Sequence, residues 1–139
     1  MKNVTSVGEL SEMMRDYTQR FSEYIARKDY DSAIQLGLGV LEKLLRIANE
    51  EIIANISDPN IVKIGESILK NYESTVSYVT GVMNGLKYVS PIYALGEKEQ
   101  LVGLIASSVS ELFNFIMGAL LIVASIQGRA QEEGGFGVV

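Results

Sequence analysis

Hydrophobic residues recur at alternating spacings of three and four along most of this chain, which is the period of an amphipathic α-helix. The first such segment extends from about Gly8 to Lys28, and its apolar positions form one stripe. Ser6 and Glu9 fit a capping box at its start, in which both side chains bond to free amide groups of the first turn. We therefore predict a first helix over this segment.

The pattern breaks and restarts at Asp29-Tyr30-Asp31, where either aspartate is suited to cap a second helix that reaches about Asn55. The short turn predicts that the first two helices pack antiparallel. Gly37 and Gly39 lie inside the second helix, where each costs about 1 kcal/mol relative to alanine. Their presence predicts that another part of the chain approaches closely there.

A third helix is predicted to begin at Pro59, because Ser57 or Asp58 is suited to cap it and proline is favoured at the first helical position. A helical repeat then continues to about Leu86. Residues 74–90 are also rich in residues that favour strands, and Asn84-Gly85 is typical of a two-residue hairpin turn. We prefer the helix, because its apolar stripe crosses this region without a change of phase, and the hairpin stays the alternative.

The fourth helix is predicted from about Glu97 to Gln127. Residues 90–96 are predicted to form a linker, because the residue before Pro91 disfavours the helical conformation. The linker has room for one short helical turn. Residues 130–139 are polar and then glycine-rich, which predicts a flexible tail. Residues 1–129 would then form a single domain, as expected for a chain of 139 residues. The predicted fold is all-α, an up-down bundle of four main helices with most of its core from helices two and four.

Composition excludes several classes of function. The chain has no cysteine and no histidine, which removes disulfides, thiolate nucleophiles, the usual zinc sites and imidazole catalysis. A net charge of −5 argues against binding to nucleic acid, whose affinity depends on neutralising phosphates. We therefore predict a non-enzymatic protein without a cofactor. No apolar segment of a secretory signal follows Met1, so we expect a cytoplasmic protein.

The fourth helix is the least charged part of the chain, because Glu111 is its one charged residue between Gln100 and Gly128. The segment from Leu101 to Ile126 is long enough to span a membrane, but Glu111 and four serines within it argue against that reading. A helix that is apolar on most sides is expected to be buried, and one monomeric bundle would bury only one face. We therefore predict a homo-oligomer, a dimer first, and allow for a further, unidentified protein partner.

Small residues recur four positions apart in helix three at Gly81 and Gly85, and again in helix four at Gly103 and Ser107. This spacing lets two helices approach closely. Combined with the large apolar residues of helix four, it predicts the surface through which the chain associates with itself. The predicted interface consists of Gly81, Gly85, Phe113, Phe115, Ile116, Leu120 and Val123.

Glu111 interrupts an apolar helix, and we expect it to lie on the exposed strip or to pair with a basic residue such as Lys70 or Lys87. The alternative function instead turns Glu111 toward the bundle interior. Carboxylates from facing helices would then hold a cation or a small polar ligand. Di-iron bundles arrange carboxylates in this way, but they also need histidines, which this chain lacks. The carboxylates that would line such an interior are Glu111, Glu42, Glu66 and Glu73.

The stretch from Ala26 to Ile34, continued by Leu41-Glu42-Lys43-Leu44-Leu45, lies within residues 24–48 and resembles helical hairpins of two families. One is the tetratricopeptide repeat, whose turn has glycine where this chain has Lys28. The other is the HEPN group, whose nuclease members carry an Arg-x4-6-His motif that is absent here. The HEPN resemblance implies a catalytically inactive, dimeric partner protein, and it assigns no active-site residue.

Overall fold

The computed structural model describes residues 5–136, with side chains placed for residues 5–122 and for Ser125, and all secondary structure in this range is helical. A π-helical turn (Ala48–Ile52) and a 3-10 turn (Ile53–Asn55) continue the second helix, and another 3-10 turn (Leu86–Tyr88) follows the third. The prediction of an all-α bundle of four main helices is confirmed. These helices are α1 (Val7–Ala26), α2 (Tyr30–Ile47), α3 (Pro59–Gly85) and α4 (Pro91–Phe136).

Side-chain caps begin the first three helices, as their sequences predict. The hydroxyl of Ser6 and the carboxylate of Asp29 each accept a hydrogen bond from the amide three residues later, at 3.0 and 3.2 Å. The carboxylate of Asp58 accepts one from the amide two residues later, at 2.9 Å, and Pro59 occupies the first turn. Each cap satisfies an amide that has no partner within its own helix.

The turn between α1 and α2 contains a residue in the left-handed region. Lys28 has a φ of 59°. Its amide donates to the carbonyl of Ile25 at 2.9 Å, and the amide of Asp29 donates to the carbonyl of Tyr24 at 2.8 Å. This pair of bonds is the Schellman motif, in which glycine is the preferred left-handed residue. Lys28 therefore holds a conformation that is unfavourable for a residue with a side chain.

The hairpin alternative for residues 74–90 is wrong. α3 continues through Gly85, whose φ of −70° and ψ of −30° are helical. The apolar stripe of α3 buries Leu69 and Val79 on the same side of the helix. Burial of a continuous helical stripe therefore outweighs the local preference of Asn84-Gly85 for a hairpin turn.

The predicted linker at residues 90–96 is also wrong, because α4 begins at Pro91. The hydroxyl of Ser90 accepts a hydrogen bond from the amide of Tyr93 at 3.3 Å, so Ser90 acts as a cap. Proline is tolerated in a first turn, where its missing N–H needs no partner, and the residue before it is extended. The features taken as a linker are the start of a helix.

α4 also extends beyond Gln127, to Phe136. Residues 130–136 of the predicted tail are therefore helical, since glycine lowers the stability of a helix without preventing it. Residues 137–139 lie outside the described range.

The core is centred on α2 and α4, which pack most extensively against each other. α1 and α3 each contact both of these helices, so they occupy the two grooves on either side of the α2–α4 pair. Ile34, Leu41 and Leu44 from α2 meet Ile105 and Leu112 from α4 in the fully buried centre. The prediction that helices two and four supply most of the core is confirmed.

Candidate functional site

The four candidate carboxylates do not meet inside the bundle. Glu111, Glu42, Glu66 and Glu73 are all exposed. Glu66 and Glu73 lie in one surface groove beside Lys70, Glu42 lies in another, and Glu111 lies in a third between α3 and α4. In the part of the chain that the structure describes, no group of three or more acidic side chains is placed to hold a metal ion. The prediction of a carboxylate-lined interior is wrong.

The position of Glu111 follows from the rotation of α4. Ile105, Val109, Leu112 and Ile116 are fully buried and fill the side of α4 that faces α2. One residue along a helix turns the side chain by about 100°. Glu111 is therefore carried out of the core and onto the groove that α4 forms with α3.

Glu111 makes one contact across that groove. The hydroxyl of Tyr72 donates a long hydrogen bond of 3.5 Å to Oε2 of Glu111. Partial burial raises the pKa of Tyr72, and the negative charge of Glu111 raises it further. Since the hydrogen bond is long and its partners are accessible, it positions the two side chains without forming a buried polar site. The remaining groove residues are Ile68, Asn71, Thr75, Leu104, Ser107 and Ser108.

The predicted interface residues lie on different sides of their helices. Ile116 and Leu120 are buried in the core, so their assignment to an interface is wrong. Phe113 and Phe115 are half-buried at the two edges of the exposed side of α4. The side chain of Val123 lies outside the described residues. We predicted these residues at an interface because they are hydrophobic. The rotation of α4 about its axis instead directs Ile116 and Leu120 into the core.

Gly81 and Gly85 are exposed, and a Cβ atom added at either would have no neighbour within 4 Å. Their spacing therefore does not serve a close helix crossing within one copy of the chain. Gly103 and Gly118 of α4 are open in the same way. All four glycines leave the helix backbone accessible from outside.

The exposed side of α4 between Gln100 and Ser125, which we call the outer face, consists mainly of small uncharged residues. Glu111 is its one charged residue. The exposed side of α1 differs, since Glu12 pairs with Arg15 at 2.8 Å and Asp16 with Arg20 at 3.5 Å. The exposed residues that form the outer face are Gln100, Gly103, Ser107, Ser110, Glu111, Asn114, Gly118, Leu121, Ile122 and Ser125.

Large apolar side chains are exposed at both ends of this face. Ile92 and Tyr93 lie at the start of α4 with 86% and 57% of their surface exposed. Leu121 and Ile122 lie about eight turns later and are 54% and 62% exposed. Exposed side chains of this size, grouped at two positions of one helix side, are typical of a surface that is covered in an assembly.

α4 is also long and apolar enough to cross a membrane by length and composition, over Pro91–Ile122, with a mean hydropathy of 1.7 in its most apolar stretch and 33% of that stretch buried. Its fully buried positions are occupied by large aliphatic residues such as Ile105 and Leu112. The residues on the middle of its exposed side are glycine, serine and asparagine, together with Glu111. The high hydropathy therefore comes from the buried and half-buried positions of α4 and from the exposed apolar residues at its ends.

Comparison of the chain with protein-family models, with curated proteins and with solved structures finds no match in any of the three. The resemblance of residues 24–48 to HEPN and tetratricopeptide hairpins therefore stays a prediction. The resemblance to the tetratricopeptide hairpin depends on the turn at Lys28. This turn is a Schellman motif, which any short antiparallel helix pair can use.

The sequence contained a signal for the outer face. Gly103 and Ser107 are four residues apart, and Asn114 and Gly118 repeat that spacing further along α4. The spacing of Gly103 and Ser107 indicated a close helix contact, but the predicted interface was built from the large apolar residues beside them, which are stronger candidates on hydrophobicity alone. Only the rotation of α4 against α2 separates the two sets.

Proposed function

We propose that this chain is a non-catalytic helical module that associates with a second copy of itself through the outer face of α4 and the adjoining side of α3. The observation that carries the proposal is the composition of the outer face, where Glu111 is the single charged residue among ten exposed ones. Exposed helix surfaces of soluble domains ordinarily carry charge at about a quarter to a third of positions. A face this low in charge is suited to contact with another protein surface.

The shape of the face supports the same proposal. Gly103, Ser107, Ser110 and Gly118 have short side chains or none, so a facing helix can approach closely and gain dispersion contacts along its length. Short side chains also lose little conformational entropy when they are covered. The half-buried Leu104 and Phe115 flank the face and would lose their remaining exposure on association.

α3 extends this surface on one side. Asn71 and Thr75 line the groove next to α4, and Tyr78 lies two helical turns after Asn71 on the same side, with 57% of its surface exposed. The charged residues of the first half of α3, including Lys63 and Glu66, line a different groove, beside Asn49. The side of α3 that adjoins the outer face is therefore uncharged.

A partner protein suits this surface better than lipid does. Gln100, Ser107 and Asn114 project from the middle of the outer face, and each carries a polar group that hydrocarbon would leave without a hydrogen-bond partner. A protein partner can supply those hydrogen bonds. The absence of histidine and cysteine from the sequence supports a non-catalytic role.

Light scattering on a detergent-free sizing column, at several loading concentrations, tests the proposal. We expect the wild type at twice the 15.2 kDa mass of the chain. Gly103→Lys adds a long charged side chain to the outer face at a position that is open in the monomer, so we expect it to elute at the monomer mass. Gly39→Lys is the matched control, because Gly39 is an equally open helical glycine on α2.

Two results would overturn the proposal. One is a wild type that keeps the monomer mass at every concentration. The other is a Gly103→Lys variant that associates as tightly as Gly39→Lys, which would place any contact elsewhere. Sedimentation with lipid vesicles tests whether the outer face binds a membrane instead. We expect the wild type to stay in the supernatant. Co-sedimentation with the vesicles would contradict a protein partner.

A further inference from the structure

Exposed residues of α4 lie at matching distances on either side of Ser107, and several of the matched pairs are similar in chemical type. Gly103 and Glu111 lie four residues before and after it, and Gln100 and Asn114 lie seven residues before and after it. The two amides are therefore equidistant from Ser107. All five residues are exposed, so their side chains are available to a partner.

The symmetry extends to the ends of the face. Gly96 and Gly118 lie eleven residues either side of Ser107, and both are open positions on the exposed side of α4. Beyond them, the exposed Tyr93 and Leu121 are fourteen residues away, and the exposed Ile92 and Ile122 are fifteen residues away.

We propose that two copies of the chain pack their α4 helices antiparallel, about a two-fold axis that passes beside Ser107. This inference rests on the proposed self-association and adds its geometry. A two-fold contact uses the same surface on both copies, so each residue must face the one at the same distance on the other side of the axis. The antiparallel pairing places an exposed residue opposite most of the face, while Ser110 faces the half-buried Leu104. Exposed residues stand opposite Gln100, Gly103, Gly118, Leu121 and Ile122.

Most pairs formed in this way are chemically compatible, and the exception is Glu111, which faces Gly103 of the second copy without a positive charge opposite it. Gly96 faces Gly118 of the second copy, and neither residue has a side chain that would hold the two helices apart. Gln100 faces Asn114 of the second copy, and two side-chain amides satisfy each other as donor and acceptor. Leu121 covers Tyr93, and Ile122 covers Ile92, which removes from water the most exposed apolar side chains at each end.

A parallel arrangement is less favourable for two reasons. It would place Glu111 against Glu111 of the second copy, with two like charges at one contact. The antiparallel pairing separates these carboxylates by eight residues, or about 12 Å along the helix axis. Opposed helix dipoles also favour the antiparallel arrangement.

The register is determined by the apolar ends. Moving the axis by one turn toward the carboxyl end of α4 would place Leu121 over the amide of Gln100. It would also take Ile92 and Tyr93 away from Leu121 and Ile122, leaving their apolar surface exposed. An axis beside Ser107 covers both ends at once.

The exposed side of α4 supplies somewhat more than half of the area that a standard interface buries on each partner. From Ile92 to Ile122, α4 is about 45 Å long and about 10 Å wide, which gives a footprint of roughly 450 Å² on each copy. Standard interfaces bury about 800 Å² on each partner. Tyr78 from α3 and the half-buried Phe113 and Phe115 at the edges of α4 add to this area.

Cysteine cross-linking tests the geometry, because the natural chain has no cysteine and every bond can be assigned to an introduced residue. Ser107→Cys is expected to form a disulfide-linked dimer on mild oxidation, since the two residues meet at the axis. Gly96→Cys or Gly118→Cys alone is expected to stay unlinked, because the same residue in the two copies is about 33 Å apart along the helix axis. An equilibrated mixture of these two variants is expected to cross-link.

Gly39→Cys measures the background from random collisions, because Gly39 is open but lies on α2. A wild type that is monomeric by light scattering overturns the proposed function and this inference together. A dimeric wild type in which Gly96→Cys cross-links with itself overturns only the antiparallel geometry. A dimer in which Ser107→Cys links no more than Gly39→Cys overturns the position of the axis.

Discussion

Gly37 of α2 lies against Ile105 of α4 so closely that a Cβ atom at position 37 would overlap with Cγ2 of Ile105. Asp31, six residues before Gly37 on α2, forms an ion pair of 2.9 Å with Lys98. Lys98 lies seven residues before Ile105 on α4. The two contacts show that α2 and α4 are parallel and in one register over nearly two turns. The approach of these helices at Gly37 fixes the centre of the bundle.

Gly37→Ala is expected to lower the free energy of unfolding by about 1–3 kcal/mol, because the added methyl group meets the buried Ile105 and the two helices must move apart. Gly39→Ala is expected to raise it by about 1 kcal/mol, since Gly39 is open and alanine is the better helix former. Urea unfolding followed by circular dichroism measures both. Equal shifts of the same sign in the two variants would contradict the close crossing.

Lys28→Gly is expected to raise the free energy of unfolding by about 1 kcal/mol, because Lys28 has a φ of 59° and glycine adopts that conformation without a steric penalty. Arg27→Gly is the control, since Arg27 has a helical φ of −88° and glycine there only adds freedom to the unfolded chain. The control is expected to be less stable than the wild type. A destabilised Lys28→Gly variant would show that the side chain of Lys28 contributes more than its backbone strain costs.

Tyr17 is buried, and its hydroxyl has no hydrogen-bond partner within the described residues. Burial raises the pKa of Tyr17 from 10.0 to about 12, because the charged form would lose its hydration. As the pH rises from 10 toward 12, the unfolded chain loses this proton while the folded chain keeps it. The folded state therefore loses stability across that range.

Tyr17→Phe tests this linkage. It removes a buried hydroxyl without a partner and keeps the ring, whose centre lies 5.2 Å from that of Phe21. We expect it to raise the free energy of unfolding by about 1 kcal/mol at neutral pH. Between pH 10 and pH 12, the wild type is expected to lose more stability than the variant in urea titrations. Parallel pH profiles would mean that the hydroxyl of Tyr17 reaches water.

Glu111→Gln is expected to strengthen self-association by about threefold to tenfold, or about 1 kcal/mol. In the antiparallel pair, Glu111 faces Gly103 of the second copy, which has no positive charge to pair with the carboxylate. Glu42→Gln, an exposed carboxylate on α2, controls for the general loss of a negative charge. Sedimentation equilibrium gives both dissociation constants. Weaker association of Glu111→Gln would show that the carboxylate itself makes a favourable contact with the second copy.

Local signals predicted most of the helix starts. Ser6, Asp29 and Asp58 cap their helices through bonds to amides two or three residues away, and such short-range bonds depend on neighbouring residues only. Ser90 and Pro91 contain the same kind of information, but the pair also fits a linker. The choice between the two readings required the position of Ala94, which the helix buries in the core.

The candidate site was harder to predict than the fold. Ile116 and Leu120 were assigned to an interface because they are apolar, yet the core and an interface select the same residue types. The alternative function required Glu111 in the interior, yet it lies on the groove beside Tyr72, on the exposed side where we expected it first. Both errors concern the direction in which a side chain of α4 points.

The sequence by itself determined that this chain is an all-α bundle of four main helices, because helical periodicity and capping depend on residues within a few positions of each other. Only the tertiary structure decided the rotation of α4 about its axis, through the close approach of Gly37 to Ile105. A helix that is apolar on most sides has no single hydrophobic direction. Packing against α2 therefore determined which side of α4 became the core and which became the outer face.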